Sequence, residues 1–158
     1  MSKDIRIKKG LNINLVGAAE QTTSKAALSN VYALNLDDFH GIIPKMLVKQ
    51  GAEVKAGEPL FYNKNNEHML FVSPVSGELV EIVRGARRRI LTVKILADKE
   101  QSYHEAQVAD LNALDGDSTR KTLLNSGCWP FIKQRPYDIV ADPDATPKAI
   151  FISAYTTA

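Results

Sequence analysis

Glycine or proline stands at positions 41, 44, 51, 57, 59, 74, 77 and 85, and this punctuation constrains the fold more than any other feature of the chain. Between and beyond these breakers lie short runs rich in Val, Ile and Leu, at 45–48, 78–83 and 90–96. Glycine permits positive φ at tight turns and proline cannot donate to a β-ladder, so the chain must reverse direction often. Short strands punctuated this densely favour a small sandwich or barrel over a βαβ fold. The composition agrees with a packed core: 44% of the 158 residues are hydrophobic, and 20 Lys and Arg offset 18 Asp and Glu for a formal charge of +2. That balance excludes intrinsic disorder and argues against a nucleic-acid binder held by bulk charge. No apolar run approaches the roughly 18 residues of a membrane-spanning helix. The opening MSKDIRIKKG has no apolar stretch behind it and does not read as a secretory signal. With Cys128 as the sole cysteine, a reducing, cytoplasmic setting is expected.

The pattern changes near residue 100. Upstream, 21–24 reads as a loop and 31–36 as a strand. Downstream, Val108, Leu111 and Leu114 recur at three-residue intervals, as in a short amphipathic helix. A second helix is expected to begin at Asp117 or Ser118 as N-cap, to turn Leu123 and Leu124 inward, and to stop at Gly127. Residues 138–147, DIVADPDATP, read as a polar linker, and 148–158 as a β-strand without a visible partner. We therefore expect a barrel-like domain over 1–100, a helical segment and linker over 101–146, and the start of a truncated α/β domain over 147–158.

The densest information lies in 41–85. Val48-Lys49-Gln50-Gly51-Ala52-Glu53-Val54-Lys55-Ala56-Gly57-Glu58-Pro59-Leu60 is followed by a hairpin and then by Ser73-Pro74-Val75-Ser76-Gly77-Glu78-Leu79. This resembles the biotinyl/lipoyl-like family, the barrel-sandwich hybrid. Carrier members display a modified lysine at the hairpin tip. Counting back from Gly77 puts Asn66 at that place, with Lys64 two residues away and, by this count, off the turn. The segment Lys64-Asn65-Asn66-Glu67 also lacks the residues that flank a biotin or lipoyl lysine, so the fold is expected without the carrier chemistry.

Further blocks narrow the resemblance: Ile7-Lys8-Lys9-Gly10-Leu11-Asn12-Ile13, Val83-Arg84-Gly85-Ala86-Arg87-Arg88-Arg89-Ile90, Ser126-Gly127-Cys128-Trp129-Pro130-Phe131 through Arg135-Pro136-Tyr137, and Pro147-Lys148-Ala149-Ile150-Phe151-Ile152. In this order they are similar to the N-terminal part of the A subunit of bacterial Na+-translocating NADH:quinone reductases. Cys128 stands where leucine is expected, and Pro130 interrupts a segment usually compatible with helix. The resemblance implies a β-rich α+β chain: a barrel-sandwich hybrid, then short helices and the first strand of a further α/β domain. It implies a peripheral component on the cytoplasmic face of the bacterial inner membrane, against other subunits and especially the integral-membrane quinone-side one. The implied complex uses FAD, FMN, riboflavin, a 2Fe–2S cluster, NADH, quinone and Na+, none of the bound cofactors being held by this part. Two alternatives stand beside it: a lipoyl or biotinyl carrier module, and the C subunit of an Rnf-type electron-transfer complex.

Two groups of residues are candidate sites. Trp129, Phe131, Arg135 and Tyr137 read structurally as an aromatic satellite core, and functionally as a quinone- or subunit-facing patch in which Arg135 or Tyr137 donates to a carbonyl oxygen. Arg84, Arg87, Arg88 and Arg89 read structurally as solvated arginines on a hairpin turn, and functionally as a docking patch for an anionic surface or lipid headgroups. No catalytic residue and no metal site is expected: His40, His68 and His104 are scattered, and one cysteine cannot ligate a cluster. Cys128 is expected to be a small buried residue. Asp37-Asp38 reads as a turn.

Overall fold

The structure is a computed structural model that describes residues 16–17, 20–105, 110 and 113–152. The chain divides into two units, Leu28–Lys148 and a second made of Met1–Ala27 with Ala149–Ala158. All the elements below belong to the first.

Among the described residues, nine strands and one α-helix are formed: β1 (Val31–Asn35), β2 (Pro44–Met46), β3 (Glu53–Val54), β4 (Pro59–Asn63), β5 (Asn66–Val72), β6 (Gly77–Arg84), β7 (Ile90–Ala97), α1 (Gly116–Asn125), β8 (Lys133–Gln134) and β9 (Ile139–Val140). One antiparallel sheet has the order β1-β7-β6-β3, a second the order β2-β4-β5, and β8 pairs with β9 alone. A single apolar cluster joins the two larger sheets: Leu60, Phe61, Met69 and Phe71 from one, Val54, Leu79, Val93 and Ile95 from the other. Successive residues of β4 from Leu60 to Asn63 are buried, and side chains of a strand alternate in direction, so both of its faces are covered. The loop after β7 is clasped to the barrel by side chains: Gln101 Oε1 accepts from Ser76 N at 2.7 Å, and Ser76 Oγ accepts from Ser102 N at 2.9 Å.

The strands at 31–35, 77–84 and 90–97 and the turn at Asp37-Asp38 follow the sequence reading. Four details differ. First, Lys64 and Asn65 are themselves the two-residue turn between β4 and β5, so Lys64 lies at the hairpin tip and not off it. A count from Gly77 misplaces it because β5 carries extra residues against β4 where the register shifts between Tyr62 and Asn63. Second, α1 begins earlier than expected, with Asp115 as N-cap accepting from Ser118 N at 2.7 Å. Asp117 therefore falls within the first turn, where a carboxylate also suits the helix dipole. Third, the linker segment carries β9, and Val140 is buried with its N–H donating to His40 O at 3.0 Å. A two-residue strand is too short to leave a period in sequence. Fourth, residues 149–152 form no strand; an extended segment needs a neighbour to pair its backbone groups. The rest of that expected strand, and the helix expected around Val108 and Leu111, lie outside the described residues.

The Asp115 cap carries a pH dependence. The Ser118 N–H holds the Asp115 carboxyl below the usual carboxylate range. Its contribution is fully present above the ordinary carboxylate pKa and is lost as pH falls through the lowered, folded value. Acid unfolding of the Asp115→Ala chain should accordingly start from a lower stability at pH 7 and show a shallower loss below pH 4. Circular dichroism of urea melts at stepped pH checks this; parallel curves for the two chains would refute it.

Candidate functional site

Helix α1 ends where the sequence says it should. Gly127 adopts φ +74°, and Cys128 N–H reaches back to Leu123 O at 3.2 Å, the pairing that closes a helix with a left-handed residue. A Cβ on Gly127 would lie 2.6 Å from Val72 Cγ1, so the same glycine lets the helix end settle on β5. Cys128, expected to be buried, is exposed. It caps a single 3₁₀ turn, Trp129–Phe131, and proline at 130 takes the buried position instead.

This turn separates the aromatic residues. Trp129 faces inward against the core cluster, and its Nε1–H donates to Ala141 O at 2.8 Å. It anchors the β8–β9 hairpin to the barrel. Phe131 and Tyr137 face out, 74% and 76% exposed, at opposite ends of β8. The hairpin turn Arg135-Pro136-Tyr137-Asp138 has a cis peptide before Pro136 and a positive φ at Asp138. Arg135 is exposed and its guanidinium lies 3.7 Å from the Asp138 carboxylate, a weak surface pair. The structure thus brings Phe131, Arg135 and Tyr137 to one exposed hairpin and assigns Trp129 to its support.

Sequence reading alone does not find Phe39, which connects this hairpin to the core. Its ring meets Phe71 edge-on at 5.0 Å and Phe131 edge-on at 6.4 Å, and Phe71 stacks on Phe61 at 4.6 Å. Lys133 bridges the same place, with Nζ donating to Asp38 O at 3.1 Å and standing 6.0 Å from the Phe39 ring. Four aromatic rings therefore run from the barrel interior to the surface. Nothing local in the sequence couples Phe39 to residues so far downstream.

At the β4–β5 tip, the backbone of Lys64 is tied down, its N–H donating to Ile43 O at 2.7 Å. The buried Asn63 side chain accepts from Ile43 N and Asn65 N. Asn63, Asn65 and Asn66 line a cleft of about 350 Å³ together with Asp142 and Asp144. Among the described residues, no group of three or more His, Cys, Asp or Glu is placed to hold a metal ion.

The arginines lie on the β6–β7 hairpin. Arg89 pairs with Asp37, and Arg84 Nη1 donates to Arg88 O at 3.2 Å. Arg87 and Arg88 both take left-handed φ, 56° and 61°. All four side chains are exposed, as the structural reading of a solvated turn requires.

Two interlocked antiparallel sheets around one core, with a tight hairpin tip and an appended helix and short hairpin, define a barrel-sandwich hybrid protein. Comparison with known families gives the particular one. The model of the NqrA N-terminal barrel-sandwich hybrid domain matches residues 5–98, and that of the NqrA second alpha/beta domain matches residues 114–158. The chain belongs to the NqrA family. It is 40% identical over 156 residues to the A subunit of the Na+-translocating NADH-quinone reductase of Tolumonas auensis, 36% over 155 residues to that of Yersinia pestis, and 34% over 154 residues to that of a Marinomonas species. These alignments cover 96–97% of this chain and 35% of each relative, so the chain spans about a third of their length.

Proposed function

We propose that this chain is the N-terminal part of the A subunit of a Na+-translocating NADH:quinone oxidoreductase, and that it contributes to assembly of the complex and to quinone reduction coupled to sodium export. The observation that carries the reading is the succession of two NqrA domain models in the family's order along one chain. Its partners are the other subunits, especially the integral-membrane quinone-side one, and its place is peripheral, on the cytoplasmic face of the bacterial inner membrane. No helix among the described residues is long and apolar enough to cross a membrane. The 2Fe–2S cluster of such a complex needs four thiolate ligands, which the one cysteine here cannot supply. This part of the subunit is read as holding neither the cluster nor the flavins.

Phe131, Arg135 and Tyr137 are the proposed contact. A small molecule is usually held in a concave wall that buries most of its surface, whereas rings three-quarters exposed on a hairpin suit a flat partner surface. The trio is therefore read as subunit-facing first, with Arg135 and the Tyr137 hydroxyl available to a quinone carbonyl brought in by that partner. One observation favours the carrier reading as a second: Lys64 lies at the hairpin tip. Against it stands the absence of the flanking residues that carrier-modifying enzymes read.

A single preparation tests both. In the full-length protein within its complex, Phe131→Ala with Tyr137→Ala should lower co-purification of the other subunits about tenfold or more. Unchanged recovery would remove the proposed contact. The intact mass of the same protein should equal its sequence mass; a lipoyl or biotinyl addition mapped to Lys64 would establish the carrier reading instead.

A further inference from the structure

The β6–β7 hairpin end presents four exposed arginines, Arg84, Arg87, Arg88 and Arg89. Three backbone-directed hydrogen bonds hold it: Gly85 N to Arg89 O at 2.8 Å, Arg89 N to Ala86 O at 3.2 Å, and Arg84 Nη1 to Arg88 O. Arg89 is neutralised by Asp37, but Arg84, Arg87 and Arg88 form no ion pair among the described residues. In a chain whose net charge is only +2, this one turn carries four arginines, three of them outside any ion pair among the described residues. Arg87 and Arg88 also occupy left-handed backbone, which glycine and asparagine adopt far more readily than arginine. The turn thus gives up backbone stability at two consecutive positions while presenting charge at its tip, the kind of local strain that collects at functional sites.

We propose that Arg84, Arg87 and Arg88 form a docking point for an anionic lipid surface. The choice of a lipid surface follows from what the turn lacks. A protein interface is organised around a buried apolar or aromatic anchor, and the only apolar side chain in 84–89 is that of Ala86. The exposed aromatic residues Phe131 and Tyr137 lie outside this turn, in the 3₁₀ turn before β8 and in the turn between β8 and β9. Guanidinium groups bind phosphates bidentately and are weakly hydrated, so they suit a layer of headgroup phosphates that offers no pocket. The proposal rests on the hairpin alone and stands or falls independently of the function proposed above.

The test is sedimentation of the 158-residue chain with vesicles of phosphatidylcholine containing 30% phosphatidylglycerol, and with vesicles of phosphatidylcholine alone. Binding should require the anionic lipid and disappear in 0.5 M NaCl. Arg87→Asn with Arg88→Asn keeps residues that tolerate the left-handed turn, and should weaken binding about 25-fold, at roughly fivefold per arginine. Lys49→Gln with Lys121→Gln removes the same charge from exposed positions elsewhere and should leave binding within about twofold. Four results would overturn the proposal: no preference for the anionic vesicles, full binding by the arginine variant, equal weakening by the lysine variant, or displacement by millimolar inorganic phosphate at constant ionic strength, which would mark a site for free phosphate. Thermal melts of both variants separate a loss of contact from a loss of fold.

Discussion

A chain carrying Gly77→Ala should fail to fold. Gly77 begins β6 and pairs on both sides, with Val54 of β3 and with Ala97 of β7. Its φ of +149° belongs to a region that residues with a Cβ scarcely enter. An added Cβ would overlap the carbonyl oxygen of Leu96 and lie 2.9 Å from its carbonyl carbon, and both are backbone atoms of the adjoining strand that no rotamer change can move. Backbone strain and clash together put the cost above about 4 kcal/mol, a large share of the stability of a domain this size. Fluorescence of the sole tryptophan, Trp129, should show no cooperative urea transition. A midpoint equal to that of the parent chain would mean that β6 and β7 do not meet at this point.

Phe71→Ala should cost about 3–5 kcal/mol, the range for removing a buried aromatic ring. Phe71 is 2% exposed, stacks on Phe61 and supports the edge of Phe39. Its loss opens a cavity within the ring series that ends at Phe131, so the surface hairpin should loosen along with the core. Phe131→Ala removes only the exposed end of that series and should change stability by less than about 0.5 kcal/mol. Urea unfolding of the two chains measures both quantities. Equal destabilisation would show that Phe131 is structural, and would take it out of the proposed contact with a partner.

Much of the barrel can be read directly. Glycines and prolines mark where strands end because their constraint is local, and the runs at 78–83 and 90–96 become β6 and β7 with little change. Gly127 is legible as a helix stop for the same reason. Errors arise wherever a position depends on more distant chain. A count from Gly77 misplaces Lys64 because β5 gains extra residues where its pairing with β4 shifts register near the tip. Cys128 is expected inside, but the 3₁₀ turn after α1 puts Pro130 there. Within the candidate site, residue types point to Trp129, Phe131, Arg135 and Tyr137 as one group, while the fold turns Trp129 inward and leaves the other three on the hairpin.

By itself, then, the sequence determined the strand-and-turn alternation of the barrel, the family to which the chain belongs and the turn that carries the arginines. Each is written in neighbouring residues, through φ preferences, turn chemistry and the order of short motifs. Only the tertiary structure decided that Lys64 lies at the hairpin tip, that Trp129 is a support, and that Phe39 joins Phe131 to the core. Burial and ring contact arise from chain segments that meet after folding, and no local pattern encodes which side of a short hairpin will find a neighbour.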